Sequence, residues 1–247
     1  MMDLSRKKEK IMEKPYVHEI RTGKVKTLGT EVAKNPLERE WQTGMFKEQR
    51  DGKVWLYKDG LNADEIADTK VHGGPEKALF AYPSAHYEYW QKTLDDSKID
   101  IGGMGENLVV TGINEFTSFI GDVYRLGDAI IEVSQPRQPC WKPARRYQVM
   151  DLALQIQQTG FTGWYYRVLE EGYVDVGELE LLERPYPEWS IQASNEVMHV
   201  DKKNLRRAHD LASCPALAVN WRNRLQKRLR GQESSIHSRV YGPNKEK

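Results

Sequence analysis

Cys140 lies in a short segment whose composition favours thiol chemistry. The segment from Gln135 to Tyr147, QPRQPCWKPARRY, contains four cationic side chains and no acidic one. Nearby cations lower the pKa of a thiol, and the thiolate is both the nucleophile and the metal ligand, so this setting favours reaction with an anion or binding of a soft metal. Three prolines disfavour a helix interior or a central strand, which predicts a stiff loop; the alternative is a spare thiol on a surface turn. The cations are Arg137, Lys142, Arg145 and Arg146.

Two glycine-containing segments are candidates for an anion site near this thiol. Residues 102–108, GGMGENL, have glycines that permit positive φ and bring backbone N–H groups close to an anion, but they match neither the Walker nor the Rossmann spacing. Residues 71–77, VHGGPEK, place His72 beside two glycines, with Lys77 just beyond. A plain turn and a hydrogen-bonded structural histidine are the alternatives, because His72 lacks a second ligand at metal-site spacing. The functional hypothesis is one shared anion pocket.

The composition is that of a globular protein without a strong charge. The chain has 247 residues, 39% of them hydrophobic and 30% charged, with a net charge of +1. It contains no apolar run near the roughly 18 residues that a membrane helix needs. The two cysteines, Cys140 and Cys214, predict a reducing, cytoplasmic setting and argue against an iron–sulfur cluster. Residues 1–15 are predicted to be a flexible extension rather than a secretory signal, with Met12 as an alternative start.

Residues 16–187 consist mainly of short segments with the sequence patterns of β-strands. Alternation around Gly127 and Asp128 predicts a hairpin, and many short strands with glycine-rich turns predict a barrel or sandwich. One helix is predicted after Pro83 and Ser84, with Tyr87 and Trp90 on one face, and a second from Arg146 to Gln158, ended by Gly160. The predicted strands are Val17–Ile20, Lys53–Tyr57, Leu108–Val110, Asp122–Leu126, Ala129–Val133 and Glu178–Leu182.

The sequence pattern changes from strand-like to helix-like after residues 184–187, which are a candidate linker. Residues 188–232 are predicted to form a small helical domain, and residues 233–247 a disordered tail. Asp201 is predicted to cap one helix, and Ser213 or Cys214 to cap another that carries an apolar stripe at every fourth residue. The stripe consists of Leu217, Trp221, Leu225 and Leu229.

The basic residues of this helical region suggest a possible binding surface. Residues 202–230 contain nine lysines and arginines against the single acid Asp210, a pattern that resembles a footprint for phosphate backbones. The stronger alternative is a solvated helix face, because an apolar stripe normally turns the opposite, charged face to water. We therefore predict that the region docks on the barrel and does not bind nucleic acid.

Four segments together resemble the MOSC domain, named for the C-terminal domain of molybdenum-cofactor sulfurases, and in particular its bacterial YiiM-like subgroup. The segments are VHGGPEKALFAY, GGMGENLVVTGI, IGDVYRLGDAIIEVSQPRQPC and GWYYRVLEEG, and the resemblance spans roughly residues 16–232. It implies a mostly-β, MOSC-type barrel with a few helices, followed by a small C-terminal three-helix domain.

The resemblance also implies a function. The expected cofactor is a molybdenum–pterin (Moco), with Cys140 as catalytic residue and metal ligand. By similarity to amidoxime-reducing relatives, the expected reaction removes oxygen from small N-hydroxylated substrates, with electrons from an external reductase. The expected cofactor-binding residues are His72, Gly73, Gly74, Lys77, Gly105, Glu106, Asn107 and Arg137.

Two other functions stay open at this point. Cys140 could carry a persulfide in a sulfur-carrier module, which would require a cysteine desulfurase as partner, because the chain lacks a long α/β segment of that kind. The second alternative is a non-enzymatic binding protein that uses the basic helical region.

Overall fold

The structure is a computed structural model that describes residues 14–69, 71–94, 99–233 and 235–245, so most of the predicted N-terminal extension and Met12 lie outside the described residues. Strands predominate before residue 184 and helices after it. The strands are β1 (Tyr16–Thr22), β2 (Lys26–Leu28), β3 (Trp41–Thr43), β4 (Glu48–Gln49), β5 (Val54–Tyr57), β6 (Gly60–Leu61), β7 (Leu79–Pro83), β8 (Leu108–Thr111), β9 (Val123–Leu126), β10 (Ala129–Pro136), β11 (Trp164–Glu170), β12 (Gly172–Val174), β13 (Gly177–Glu178) and β14 (Glu180–Glu183). The helices are α1 (Ala85–Leu94), α2 (Lys142–Tyr147), α3 (Leu152–Thr159), α4 (Ile191–Asn195), α5 (Leu205–Ala212), α6 (Val219–Leu229) and α7 (His237–Val240).

The main sheet is a curled half-barrel. Its strand order is β13-β1-β8-β7-β11-β10-β9-β14, with β7 and β8 parallel and β4 paired with β1. The strands at the two ends of this order, β13 and β14, are separated in the chain by Leu179 alone, so chain continuity draws the sheet edges together. The β9–β10 hairpin pairs Leu126 with Ala129, as predicted. The prediction of a mostly-β barrel followed by helices is confirmed.

One hydrophobic core joins the sheet to the C-terminal helices. Inward-facing residues of the sheet, such as Tyr124 and Trp164, belong to the same buried cluster as Trp221 and Leu225 of α6. The backbone N–H of Ala218 also donates to the carbonyl of Ser134 in β10, at 2.9 Å. The predicted docking of the helical region on the barrel is therefore confirmed.

A second core supports the loops near Cys140. It joins α1, through Tyr87 and Trp90, to residues of α2 and α3 and to Met104 of the glycine-rich segment. The predicted helix after Ser84 is confirmed, with both aromatic residues buried. The turn at residues 102–107 is thus anchored on its inner side by packed aromatic side chains.

Several predicted helix bounds are wrong. The helix predicted from Arg146 to Gln158 is two helices, because Gln148 adopts a left-handed conformation (φ 57°) and ends α2; Gly160 does end α3 as predicted. Asn204, not Asp201, caps α5 by accepting from the Arg207 N–H. The helix predicted to follow a cap at Ser213 or Cys214 is α6, and it begins at Val219 rather than near Pro215.

The prediction of a disordered tail from residue 233 is wrong for residues 235–245. Residues 237–240 form α7, and residues 242–244 form a 3-10 turn. Val240 and Asn244 are buried, so apolar packing and polar contacts hold this segment against the rest of the protein. None of the helices that the structure describes is long and apolar enough to span a membrane.

Candidate functional site

A cleft beside the C-terminal end of β10 brings the sequence-predicted loops together. Its wall is formed by the loop that carries Cys140, the HGG segment, the turn at residues 102–107, and residues of the 43–68 region. The predicted site residues that line it are His72, Gly73, Lys77, Gly105, Asn107, Arg137 and Cys140. The structure therefore brings these loops to the same cleft as Cys140.

Cys140 lies in the wall of this cleft with 8% of its surface exposed. Burial by itself would raise its pKa. The hydrogen bond and charge of His72, the charge of Arg137 and the Lys142 N–H outweigh burial and lower the pKa of Cys140 from 9.0 to about 6. The thiolate is therefore the main form near neutral pH, and this is the form that binds metals and acts as a nucleophile.

Arg137 supplies a buried cation beside the thiol. Its side chain is 5% exposed, and its buried Nη1 has no hydrogen-bond partner among the described residues. Its guanidinium lies 5.2 Å from the centroid of the Phe80 ring, which fixes its direction in the cleft wall. A buried donor without a partner is costly, so this atom is suited to an anionic or polar ligand.

Gly105 permits a close approach of two backbone segments in this wall. Its φ is +85°, and a Cβ at this position would lie 2.8 Å from the Cβ of Met45. Gly73 is similar, with a φ of +92° and a would-be Cβ only 2.4 Å from the Cδ1 of Ile66. Glycine is required at both positions, and each leaves backbone atoms rather than side chains at the cleft.

Two predicted residues do not line the cleft. Glu106 is fully buried, and its Oε1 accepts from the Gly102 N–H at 2.8 Å and from the Tyr87 hydroxyl at 2.5 Å. Burial raises the pKa of Glu106. Gly74 begins the 3-10 turn 75–77 with a φ of 84°. Both predictions are corrected: these residues shape the neighbouring turns.

Asn107 and Lys77 reach the cleft with part of their hydrogen-bonding capacity already used. The Asn107 Oδ1 accepts from the Phe80 N–H at 3.1 Å, and its Nδ2 donates to Asp64 at 2.8 Å. The Lys77 Nζ donates to the Val71 carbonyl at 2.6 Å, and burial lowers the pKa of Lys77. Asn107 therefore joins two loops, while Lys77 keeps two further N–H donors for a ligand.

The cations that follow Cys140 do not all act on its thiol. Arg145 donates its Nη1 to the carbonyls of Arg39 and Glu40, each at 2.9 Å. Arg146 donates to the carbonyls of Met45 and Gly102 at 3.0 and 3.2 Å. Both arginines hold neighbouring loops against α2. The expectation that all four cations lower the pKa of the Cys140 thiol is therefore corrected.

The comparisons with known proteins agree with this fold. The family model for the MOSC domain matches residues 68–179, and that for the YiiM-like 3-alpha helix domain matches residues 189–232. The protein YiiM of Escherichia coli (strain K12) is 36% identical over 204 residues, which cover 81% of this chain and 91% of that protein. The chain belongs to the MOSC domain family. This family is associated with the molybdenum cofactor.

Other relatives are also similar to this chain over most of its length. YflK of Bacillus subtilis (strain 168) is 43% identical over 188 residues, which cover 76% of this chain and 85% of that protein. A protein named Reductase from Gibberella moniliformis (strain M3125 / FGSC 7600) is 36% identical over 205 residues, which cover 81% of this chain but only 35% of that protein. The crystal structure of Escherichia coli YiiM superposes with a TM-score of 0.76 at 29% identity and covers 93% of this chain and all of that one.

Sequence reasoning missed the part of the cleft that precedes the MOSC match. Lys47 and Asp64 form an ion pair with only 7% of each side chain exposed, and both line the cleft. Met45 and Thr43 lie beside them. No glycine motif or charge run marks these residues, so their role follows only from the fold. Tyr165 of β11 also lines the cleft.

Proposed function

We propose that this MOSC protein is a molybdenum-cofactor-dependent reductase of small N-hydroxylated compounds, with Cys140 as the protein ligand of the metal. The observation that carries the proposal is that Cys140 lies in the wall of one cleft with Arg137, whose buried Nη1 has no hydrogen-bond partner among the described residues. The name Reductase of the Gibberella moniliformis relative supports the reaction class.

The chemistry of the cleft fits such a cofactor. Cys140 supplies a thiolate, and the described residues contain no group of three or more His, Cys, Asp or Glu side chains that could hold a metal ion by themselves. A metal at Cys140 would then take its other ligands from a cofactor. Arg137 and Lys77 would hold the phosphate, and the backbone at Gly73 and Gly105 would contact the polar heterocycle. When bound, the cofactor supplies two-electron removal of oxygen from the N–OH group.

Tyr165 is a hydrogen-bond donor in the cleft wall. It lines the cleft, and its ring lies 5.3 Å from that of Phe80 in a tilted contact. Burial raises the pKa of Tyr165 to about 12, so its hydroxyl stays protonated near neutral pH. In that form it can donate a hydrogen bond to a substrate in the cleft.

The electrons in this proposal come from an external reductase. The Gibberella moniliformis relative has most of its length outside the region that it shares with this chain, so the shared region is one part of a larger protein there. We propose that the electron donor docks near the cleft.

Metal analysis tests the ligand assignment. The wild type, Cys140→Ser and Cys214→Ser are produced in a host that makes the cofactor, and the molybdenum content per chain is measured. We expect Cys140→Ser to fall to background and Cys214→Ser to retain the wild-type content, because Cys214 lies among the C-terminal helices. Equal molybdenum content in all three proteins would defeat the proposal.

A second measurement separates reductase from sulfur carrier. Incubation with a cysteine desulfurase, followed by peptide mass spectrometry, reports whether Cys140 gains one sulfur atom. We expect the molybdenum-loaded wild type to reduce an aromatic amidoxime under reducing, oxygen-free conditions. We expect no sulfur atom to be added to Cys140. A stable adduct at Cys140 without amidoxime reduction would favour the sulfur-carrier function instead.

A further inference from the structure

The segment of residues 235–245, here called the C-terminal strap, returns to the loop that carries Cys140. It lies beyond both matched family regions, which end at residues 179 and 232. It contains α7 and the 3-10 turn Gly242–Asn244, and Val240 at the end of α7 is fully buried. The strap is therefore a packed element and not a loose chain end.

The strap bonds to the backbone on both sides of Cys140. The Trp141 N–H donates to the carbonyl of Arg239 at 2.9 Å, and the Nδ2 of Asn244 donates to the carbonyl of Trp141 at 3.2 Å. The Nη1 of Arg239 donates to the carbonyl of Pro139. Three backbone groups that flank the thiol are thus satisfied by one distant segment.

Side-chain contacts make this attachment rigid. The Oδ1 of Asn244 accepts from the Nε of Arg145 at 2.7 Å, so Asn244 bridges α2 and the Trp141 backbone. Gly242 lies against the Trp141 indole, where a Cβ would come within 2.2 Å of Cδ1. The Nη2 of Arg239 also donates to Gln157 of α3 at 2.5 Å. These contacts fix the strap to both helices that follow the Cys140 loop.

We propose that the C-terminal strap is a positioning element of the Cys140 site, with Arg239 and Asn244 as positioning residues that hold the loop from Pro139 to Trp141. This inference does not depend on which chemistry Cys140 performs. Without the strap, the loop would keep the hydrogen bond between the Arg137 N–H and the Gly163 carbonyl, but it would lose three bonds adjacent to the thiol.

The test uses the full-length, metal-free protein and its two free thiols. The rate of alkylation by iodoacetamide is measured at one fixed pH for Cys140 and Cys214 separately, by peptide mass spectrometry. Cys214 is buried among the C-terminal helices and serves as an internal control, because general destabilisation would expose both thiols. The variants are Arg239→Gln, Arg239→Lys and Asn244→Ala, with Arg206→Gln on an exposed part of α5 as the matched control.

We expect Asn244→Ala and Arg239→Gln to raise the alkylation rate of Cys140 about threefold to tenfold, because each removes the one hydrogen bond that its side chain donates to the backbone of the Cys140 loop, together with a second bond to α2 or α3. The rate of Cys214 should stay at the wild-type value. Arg239→Lys should restore much of the protection, because lysine can still donate to the Pro139 carbonyl, and Arg206→Gln should change neither thiol.

Two outcomes would overturn the proposal. One is a Cys140 rate in Asn244→Ala equal to that of the wild type, and this result decides the matter even if Arg239→Gln does not fold. The other is an equal rise for Cys140 and Cys214, which would indicate general loosening of the structure rather than positioning of the loop.

Discussion

The Nη1 of Arg224 in α6 donates a hydrogen bond of 2.6 Å to the Oε1 of Gln138, two residues before Cys140. The same helix begins where the Val219 N–H donates to the Glu76 carboxylate at 3.0 Å, within the segment that also carries His72 and Lys77. One helix of the C-terminal region thus contacts two of the segments that form the cleft wall. The helical region supports the site directly, in addition to covering the barrel core.

The first prediction concerns His72 and the Cys140 thiol. Because His72 stabilises the thiolate by a hydrogen bond and by charge, His72→Gln should raise the pKa of Cys140 by at least about one unit. The measurement is the pH dependence of Cys140 alkylation, whose midpoint should lie near pH 6 in the wild type. His209→Gln, on the exposed surface of α5, is the control. Equal midpoints in all three proteins would contradict the role of His72.

The second prediction is a pH-dependent contribution of Cys140 to stability. The pKa of Cys140 is lowered from 9.0 in the unfolded chain to about 6 in the folded protein, so the folded state favours the thiolate. The stabilisation is complete above pH 9 and is lost as the pH falls through about 6. Urea unfolding should therefore show a larger deficit for Cys140→Ser at pH 9 than at pH 5. A deficit independent of pH would contradict the prediction.

The fold could largely be predicted from local patterns. Alternation about Gly127 predicted the β9–β10 hairpin, and the apolar stripe through Trp221 predicted the buried face of α6. The bounds of the helices were less predictable, because tertiary contacts decide them. The start of α6 is one case: its first N–H bonds to Glu76, which is distant in the sequence.

The candidate site was predictable where a motif marks it. The HGG and GENL segments and Cys140 do meet at one cleft, although Glu106 turns away to bond Tyr87. Lys47 and Asp64 could not be found in this way, because an isolated lysine and aspartate have no signature until folding pairs them. The strap was missed for a similar reason: its polar residues resemble a solvated tail, and only their contacts with Trp141 give them a role.

The third prediction tests the backbone approach at Gly105. Gly105→Ala would place a Cβ 2.8 Å from the Cβ of Met45 on a residue with a φ of +85°. We expect a loss of about 1–3 kcal/mol in the free energy of unfolding. Gly177→Ala is the matched control, because a Cβ there meets no atom within 4 Å, and it should change stability by no more than about 0.5 kcal/mol. Equal effects of the two substitutions would contradict this account of the turn.

The fourth prediction tests whether barrel and helices share one core. Trp221 is fully buried in the cluster that contains both. Trp221→Ala should lower the free energy of unfolding by about 3–5 kcal/mol, whereas Val219→Ala, on an exposed position of the same helix, should have little effect. Unfolding followed by tryptophan fluorescence and by circular dichroism should give one coincident transition. Separate transitions in the wild type would show that the helices unfold independently of the barrel.

Several cations of the basic helical region are committed to contacts within the protein. Arg228 is buried and donates to the carbonyls of Val197 and Met198, each at 2.7 Å. Arg222 donates to the carbonyls of residues 214, 215 and 217, which hold the turn before α6. Arg224 is likewise bound to Gln138, so the cations of this region that stay exposed lie at separate positions.

The last prediction follows from this dispersal of charge. Binding to a phosphate backbone gains strength from many simultaneous contacts, whereas the exposed cations Lys203, Arg206, Lys227 and Arg230 are divided between the α5 and α6 regions. We expect no binding of duplex DNA with a Kd below about 10 μM at physiological salt, measured by fluorescence anisotropy. Tighter, salt-dependent binding that Lys227→Ala and Arg230→Ala together abolish would contradict this prediction, because it would show that these positions form a working nucleic-acid surface.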